Sequence, residues 1–285
     1  MGAKEEKFKT RWIDNSLKTK AETLVFGSVI GAKWERESDR VTFSNLHSLL
    51  NLDPKKPDAI LDIGCGPLAR AEVQLANSYP MVGLDLSKAS IQRAIVQTKL
   101  FKLHKKVSFV VADAEHLPFK PNAFKIILCI GTICHLPNFN VLRNTLNEMK
   151  RVTKQEGLLY LPWWINALSL VALERKLLTK IMDVFGIPHN QYLKFKGISE
   201  IKQIISNEKL KITSIFYSEL FEFPWLFYSF PQKIQKYQLK IMHILNYNLS
   251  RKLWVSKIAS HFAVICQKTD KHLQCSLISF SENLP

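Results

Sequence analysis

Two aspartates and two glycines are the residues of this chain whose types and spacing most clearly predict chemistry. Asp62 and Asp85 each end a short apolar run, at residues 59–61 and 81–84. Such runs predict buried parallel strands, and the carboxyl ends of parallel strands form the edge of a sheet where ligands bind. Gly64 and Gly66 permit a sharp turn close to a ligand, because neither carries a Cβ. An acid at Asp85 can accept hydrogen bonds from both hydroxyls of a ribose; alternatively, it is the N-terminal acid of the helix that begins near Ser87.

Two cofactors fit this pattern, and they imply different chemistry. The series Gly64-x-Gly66-x-x-Ala69, with Asp85 19 residues beyond Gly66, matches the dinucleotide-binding fingerprint. The segment Asp62-Ile63-Gly64-Cys65-Gly66 also resembles the first motif of the class I S-adenosylmethionine-dependent methyltransferases, an acid followed by glycine-x-glycine. A carboxylate at Asp62 is unfavourable beside a pyrophosphate but suits the cationic methionine end of S-adenosylmethionine. This residue therefore favours S-adenosylmethionine as the cofactor and S-adenosylhomocysteine as the product.

Further segments extend the resemblance over about residues 45–162. Residues 112–119, 124–127 and 148–152, followed by Gly157, are similar to the menaquinone- and ubiquinone-biosynthesis methyltransferases. This similarity implies that Asp85 binds the ribose and that Asp113 and Ala114 contact the adenine. The cofactor-binding residues that it implies are Asp62, Gly64, Cys65, Gly66, Asp85, Leu86, Asp113, Ala114 and Ile130. Two positions depart from the family pattern: Lys125 replaces a usual acid, and Leu68 replaces the third glycine of the first motif.

The residues that would meet the methyl acceptor are less clearly marked. Family members have a histidine-containing stretch after the fourth strand, where this chain has His135. This residue is the candidate general base or substrate contact; the alternative is a packed histidine that orients the loop. Four residues that follow the fifth strand are candidates for the wall of the substrate site, and packing in the core is an equally plausible role for them: Trp163, Trp164, His189 and Tyr192. The cysteine spacing does not predict a metal site.

Strands and helical patterns alternate along the middle of the chain. The predicted strands are the apolar run before Gly64 and residues 81–85, 107–112, 124–130, 158–161, 211–218 and 260–267. The predicted helices between them cover 68–78 (Pro67 suiting a first helical position), 87–103, 138–152, 165–185 and 199–206, with Ser87 and Ser199 as N-caps. Strands separated by helices at this spacing predict a parallel sheet with right-handed crossovers.

The predicted fold is α/β: a doubly wound, mostly parallel, seven-stranded Rossmann-like methyltransferase sheet with N-terminal helices and a helical lid. The predicted units are an N-terminal helical cap over 1–52 and a cofactor-binding core over 53–162. The sheet and lid helices continue over 163–268, including an insertion at 220–257, and a flexible tail covers 269–285.

The charge of the chain bears on its partners. The net charge is +16, and residues 151–285 alone contribute 18 basic and 9 acidic residues. Within 231–257, Lys233, Lys236 and Lys240 recur beside apolar residues at helical spacing, which predicts a basic amphipathic helix. This helix could lie on an anionic membrane and admit a lipid acceptor, bind RNA, or pack its apolar side on the domain's own core.

The function predicted from these residues is methylation of a small-molecule or lipid-like acceptor. Methylation of tRNA or another RNA is an alternative that the charge supports, and a non-catalytic cofactor-binding module is a second alternative. The first ten residues are charged and no secretory signal follows them. The five cysteines show no paired spacing. We therefore expect a cytoplasmic protein without a transmembrane span that can associate peripherally with a membrane.

Overall fold

The computed structural model describes residues 58–186, 194–195, 197–218 and 261–268, together with Leu46 and single positions between 231 and 259. The strands are β1 (Ile60–Ile63), β2 (Met81–Asp85), β3 (Val107–Val111), β4 (Phe124–Leu128), β5 (Thr153–Asn166), β6 (Lys194–Phe195), β7 (Leu210–Ser218) and β8 (His261–Lys268). The helices are α1 (Arg70–Leu75), α2 (Lys88–Leu100), α3 (Phe139–Val152), α4 (Leu170–Val184) and α5 (Ile198–Asn207), with a short 3-10 helix at Ile133–His135.

All eight strands belong to one sheet, in the order β3-β2-β1-β4-β5-β8-β7, with β6 paired to β5. β8 is antiparallel to both of its neighbours, β5 and β7, whereas the other described pairs are parallel. The strand order reverses between β1 and β4, which creates a crevice at the carboxyl edge of the sheet. The predicted doubly wound, mostly parallel fold is confirmed.

Alternate side chains of the central strands enter two buried clusters, one on each face of the sheet. Leu61 and Ile63 join the cluster that contains the inner residues of α3 and α5. Ile60 joins the second cluster, with Ala71 and Leu75 of α1. Leu46, which is helical, is also buried in this second cluster. The rest of the predicted N-terminal cap and the tail after residue 268 lie outside the described residues.

Several predicted bounds were wrong. The sheet has eight strands rather than seven, because the two residues of β6 pair with the end of β5. β5 continues to Asn166 because β8 pairs with it as far as Ile165, so α4 begins at Leu170 rather than at 165. The N-cap of α5 is Gly197 rather than Ser199. The predicted boundary between the cofactor-binding core (53–162) and the unit that follows it (163–268) stays a prediction, and it lies inside β5.

Candidate active site

The glycine loop after β1 is tied to the end of β2. The N–H groups of Gly64 and Cys65 both donate to the carbonyl of Leu84, at 2.7 and 3.0 Å. Gly64 has φ +76°, and a Cβ there would lie 1.9 Å from Oγ1 of Thr132. That hydroxyl donates to the carbonyl of Ile63 at 3.1 Å, which joins the loop after β4 to the end of β1. Gly64 is therefore required both by its backbone conformation and by the space around it.

The sequence predicted that the glycine loop leads directly into a helix at Pro67, and this prediction was wrong. Ala69 adopts a left-handed conformation with φ +46°, and α1 begins at Arg70. Pro67 therefore belongs to the loop. Cβ atoms added at Gly66 and at Gly131, which lies in the loop after β4, would meet no atom of the described residues within 4 Å. Within this part of the chain, open space therefore adjoins the glycine loop and the loop after the neighbouring strand β4.

Asp85 closes β2 and ties the glycine loop after β1 to the end of this neighbouring strand. Its Oδ2 accepts from the N–H of Gly66 at 3.0 Å, and its Oδ1 accepts from the N–H of Ser87 at 2.8 Å. Burial raises the pKa of this carboxyl, and the two backbone donors oppose the rise. The bond to Ser87 supports the role of an acid at a helix start, which the sequence left open. Each oxygen still has a second lone pair that can accept from a ribose hydroxyl.

Asp62 is a buried acid without a complete set of partners. The residue is 3% exposed, and its Oδ1 has no hydrogen-bond partner among the described residues. Burial raises its pKa to about 7, Arg70 opposes the rise, and Asp85 adds to it. A buried carboxylate oxygen without a donor is costly. Asp62 would therefore gain from a cationic or N–H-bearing group brought to the end of β1.

A second buried acid, Glu72 on α1, was missed by the sequence reasoning. Its side chain is fully buried, and neither carboxyl oxygen has a partner in the described part of the chain. A Cβ on Gly83 would lie 2.5 Å from Oε1 of Glu72, so the carboxyl group lies over β2. Burial raises the pKa of Glu72 well above its usual range, and Asp62 adds to the rise. The available signal was its place on the inner side of α1 with Ala71 and Leu75.

The loop after β3, which carries Asp113 and Ala114, begins with a turn of its own. Oδ1 of Asp113 accepts from the N–H of Glu115 at 3.0 Å. Oε1 of Glu115 accepts from Nδ2 of Asn144 on α3, at 2.9 Å. Asp113 and Ala114 are both half-buried. The turn thus places the predicted adenine contacts at the carboxyl edge, in the loop that follows the strand next to β2.

Glu148 and Arg151 of α3 clamp the same loop farther along. The Arg151 guanidinium binds both oxygens of Glu148, at 2.6 and 2.8 Å, and donates to the carbonyls of Phe119 and Leu117. Oε2 of Glu148 accepts from the N–H of Leu117 at 2.8 Å. The hydrogen bond from Arg151 is the main cause of the lowered pKa of Glu148. The residues 148–152, which the sequence offered only as a resemblance, therefore position the loop that carries Asp113.

The structure describes only some of the residues that were predicted to contact the methyl acceptor. His135 is half-buried in the 3-10 helix after β4, and its backbone N–H donates to the carbonyl of Thr132 at 2.9 Å. Trp164 is fully buried; its Nε1 donates to the carbonyl of Leu161 at 2.8 Å, and its ring centroid is 4.8 Å from that of Phe195. Of the two alternatives for Trp164, the structure supports core packing. The side chain of Trp163 and the residues His189 and Tyr192 lie outside what the structure describes.

The remaining predicted cofactor residues lie near the same edge. Leu86 and Ile130 follow β2 and β4 and are half-buried. Cys65 is buried, and burial raises the pKa of its thiol, so it contributes a neutral side chain to the loop. Two features fit S-adenosylmethionine: the unpaired oxygen of Asp62, and the open space beside Gly66 and Gly131.

Comparisons with known proteins agree with this geometry. Residues 61–161 match the family model described as a methyltransferase domain. An uncharacterized protein of Methanocaldococcus jannaschii is 31% identical over 65% of this chain and 78% of its own length. Norajmaline N-methyltransferase of Rauvolfia serpentina is 32% identical over 51% of this chain, and the match spans half of that enzyme (50%). Sterol 24-C-methyltransferase of Kluyveromyces lactis is 30% identical over 39% of this chain and 29% of its own length.

Solved structures share the fold. The magnesium protoporphyrin IX methyltransferase of Synechocystis, crystallised with bound S-adenosylhomocysteine, superimposes with a TM-score of 0.60. The two are 11% identical, and the match covers 93% of this chain and all of that one (100%). The closer resemblance to quinone-biosynthesis enzymes stays a prediction. The glycine loop, the acids at the strand ends and these matches together show that the chain belongs to the class I S-adenosylmethionine-dependent methyltransferases.

Proposed function

We propose that this chain transfers the methyl group of S-adenosylmethionine to a small-molecule or lipid-like acceptor. The observation that carries the proposal is the buried Oδ1 of Asp62, which has no partner in the described structure, beside the glycine loop. A cationic ammonium group would satisfy this oxygen, whereas a pyrophosphate would be repelled by it. The same edge also carries Asp85 and Asp113, which suit the hydroxyl and amino groups of an adenosine.

Each acid has a separate part in holding the cofactor. Asp62 accepts from the ammonium group, Asp85 accepts from the ribose hydroxyls, and Asp113 accepts from the exocyclic amine while Ala114 faces the ring. Cys65, Leu86 and Ile130 complete the walls. The bound cofactor would supply an activated methyl carbon, whose bond to the sulfonium breaks as an electron pair of the acceptor attacks, leaving S-adenosylhomocysteine.

Methyl transfer needs alignment of the acceptor more than acid–base catalysis. His135 is the residue that we propose faces the acceptor, because it lies in the loop next to the end of β1, held there by the bond from Thr132 to Ile63. It would remove a proton only from an acceptor that keeps its proton at neutral pH, such as an alcohol or a phenol. Trp163, His189 and Tyr192 are proposed as further acceptor contacts, with Trp164 supporting them from the core.

The names of two relatives support a small or lipid-like acceptor. One is a sterol methyltransferase and the other methylates norajmaline, according to their names. No helix in the described part of the chain is long and apolar enough to cross a membrane. We propose that a lipid acceptor is met at a membrane surface, with residues 231–257 as the point of contact.

Methylation of RNA is the competing proposal, and the net charge of +16 is the observation that favours it. RNA that copurifies with the protein, and whose binding weakens steeply with salt, would support this alternative. A non-catalytic binding module is the remaining one. It would be supported if the protein binds the cofactor, if Asp85→Ala abolishes that binding, and if no transfer is found with any acceptor fraction.

The experiment that tests the proposed function follows a labelled methyl group. The purified protein is incubated with methyl-labelled S-adenosylmethionine and, separately, with soluble metabolites, extracted lipids and total RNA from cells that lack the gene. We expect label to enter the metabolite or lipid fraction, with S-adenosylhomocysteine released in equal amount. Label entering RNA alone would contradict the proposed acceptor.

His135→Gln should reduce the rate of methyl transfer without weakening cofactor binding. The control is His104→Gln, at an exposed histidine before β3, which should change neither the rate nor the binding.

A further inference from the structure

α4 carries large apolar side chains on its exposed side. Leu173, Leu177 and Ile181 recur every four residues and are 64%, 62% and 46% exposed. Val184 and Phe185, at the end of the helix, are 82% and 73% exposed. Residues spaced by three and four positions share one side of a helix. We call this set the α4 stripe, and large exposed apolar stripes of this kind mark interaction surfaces.

A second apolar stripe lies on the segment before β8. Ile234, Tyr237, Ile241 and Ile244 are helical positions at steps of three and four, and each is at least 45% exposed. We call this set the 234–244 stripe. The sequence left open whether this apolar side packs on the domain's own core. At these four positions it does not, because the side chains are exposed, whereas Leu249 and Val255 farther along the segment do pack into the core.

The two segments that carry the stripes leave the sheet at the edge that carries the cofactor residues. β5 runs parallel to β4 and ends at Asn166, four residues before α4 begins. β7 ends at Ser218, and Ser218 and Ile165 both pair with His261, the first residue of β8. The chain between β7 and β8 thus leaves and re-enters the sheet at the carboxyl edge. Asp62, one residue before the end of β1, and Asp85, the last residue of β2, lie at this same edge.

The charge beside the stripes indicates what would cover them. Residues 231–257 contain six basic residues and no acidic one: Lys233, Lys236, Lys240, Arg251, Lys252 and Lys257. The sequence of α4 has three basic residues and two acids, Glu174 and Asp183; among its described side chains, Lys176, Lys180 and Asp183 are exposed. A second copy of a chain with net charge +16 would be repelled. RNA is bound through successive aromatic side chains on which the bases stack, whereas most residues of the two stripes are aliphatic and their aromatic members are Phe185 and Tyr237. Aliphatic residues flanked by lysines suit an anionic bilayer.

We infer that the α4 stripe and the 234–244 stripe dock this protein on an anionic membrane, with the carboxyl edge of the sheet turned toward the lipid. The apolar side chains enter the boundary between headgroups and acyl chains, while the lysines meet lipid phosphates. The inference deepens the proposed function, because it assigns the acceptor to the bilayer. A lipid could then reach the cofactor edge without crossing bulk water.

The test is binding of the full chain to vesicles. Vesicles of phosphatidylglycerol and phosphatidylcholine in equal parts are compared with vesicles of phosphatidylcholine alone, by flotation. We expect binding to the anionic vesicles that weakens as salt is raised. Two triple variants, Leu173→Ser with Leu177→Ser and Ile181→Ser, and Ile234→Ser with Ile241→Ser and Ile244→Ser, should each lower the affinity at least tenfold, since burial of a single large apolar side chain is already worth about tenfold.

Matched controls separate docking from loss of fold. Val96→Ser with Leu100→Ser removes two exposed apolar residues from the C-terminal half of α2, which leads to the opposite edge of the sheet. This variant should bind vesicles as the wild type does. All variants should bind S-adenosylhomocysteine unchanged.

Three outcomes would overturn the inference. The first is that the wild type binds neutral and anionic vesicles equally, or binds neither. The second is that both triple variants bind anionic vesicles as tightly as the wild type does. The third is a wild-type dimer in solution that the triple variants convert to monomers without any effect of lipid, which would assign the stripes to a second copy. If docking fails while label still enters a metabolite or lipid fraction, the inference fails and the proposed function stands.

Discussion

The two halves of the sheet differ in how the residues at and beyond the carboxyl edge are fixed by hydrogen bonds. In the half built from β1 to β4, which we call the cofactor half, hydrogen bonds fix the loops at the carboxyl edge: Gly64 and Cys65 to Leu84, Asp85 to Gly66, and Arg151 to Leu117. In the half built from β5 to β8, which we call the acceptor half, α4 follows the edge and leaves apolar side chains in solvent. A polar cofactor requires donors and acceptors placed in advance. An apolar acceptor requires surface, which can remain exposed until it is covered.

The largest expected effect tests whether Trp164 belongs to the core of the acceptor half. Trp164→Ala removes a fully buried ring packed against Phe195, so the free energy of unfolding should fall by about 3–5 kcal/mol. Urea denaturation measures this change. Trp254→Ala, at a half-exposed tryptophan, is the control and should cost less than about 1 kcal/mol. A stable Trp164→Ala protein with an altered acceptor preference would restore Trp164 as a substrate wall.

The next effect concerns the glycine loop of the cofactor half. Gly64→Ala adds left-handed strain of about 1–2 kcal/mol and displaces Thr132, for about 1–3 kcal/mol more. Gly186→Ala is a matched control, because Gly186 also has a positive φ, +62°, but no atom lies within 4 Å of the added Cβ. Denaturation should show that Gly64→Ala is the more damaging, and calorimetry should show loss of cofactor binding. Equal effects of the two variants would mean that the contact with Thr132 is unimportant.

A smaller effect is expected from the clamp on the loop after β3. Arg151→Lys keeps the charge but loses the fork that binds Glu148 and two carbonyls, so stability should fall by about 1–3 kcal/mol. Affinity for S-adenosylhomocysteine should fall with it, because the loop carries Asp113. The exposed pair Lys154–Asp58 provides the control: Lys154→Ala should cost less than about 1 kcal/mol and leave the affinity unchanged. A full-affinity Arg151→Lys protein would limit the clamp to a structural role.

The last expected effect is a gain in stability. The pKa of Asp62 is raised from 3.8 to about 7, and that of Glu72 is raised as well. Above pH 4 the unfolded chain therefore releases protons that the folded protein retains, so the free energy of unfolding should decrease as pH rises toward 7. Glu72→Met replaces a buried acid without a described partner by an apolar side chain. It should stabilise the protein at pH 7 by about 1–2 kcal/mol.

The measurement that tests Glu72→Met is the slope of the free energy of unfolding against pH. Urea denaturation at pH 5, 6 and 7 should give a shallower decrease for Glu72→Met than for the wild type. Gln74→Met, at an exposed position on the same helix, should leave the slope unchanged. A loss of stability at pH 7 in Glu72→Met would show that the carboxyl group is bound by a partner in the folded protein.

The cofactor half was predictable because its signals are local. Gly64 and Gly66 do adopt positive φ, and Asp85 and Ser87 do lie where a strand ends and a helix begins, since turns and caps depend on neighbours in sequence. Glu72 was missed because its burial depends on packing against β2, which is remote in sequence. Resemblance alone marked residues 148–152, and only the structure gives Arg151 its contacts.

The acceptor half was less predictable because its bounds depend on distant pairing. β5 continues to Asn166 through its contact with β8, about a hundred residues later, and no local pattern shows this. The apolar spacing on α4 is visible in the sequence, but the same spacing predicts a helix packed on a core. Within 231–257 the predicted helix is present at Ile234, Tyr237, Ile241 and Ile244, and only the structure shows that these four side chains are exposed.

The central claim is that Asp62 receives the cationic end of S-adenosylmethionine at the end of β1. Titration calorimetry of S-adenosylmethionine, S-adenosylhomocysteine and NAD into the wild type, Asp62→Asn and the exposed control Asp58→Asn tests it most directly. We predict that the wild type and Asp58→Asn bind both adenosyl compounds but not NAD, and that Asp62→Asn weakens binding by about a hundredfold, as expected for a buried charged hydrogen bond. Binding of NAD alone, or full affinity in Asp62→Asn, would contradict the claim.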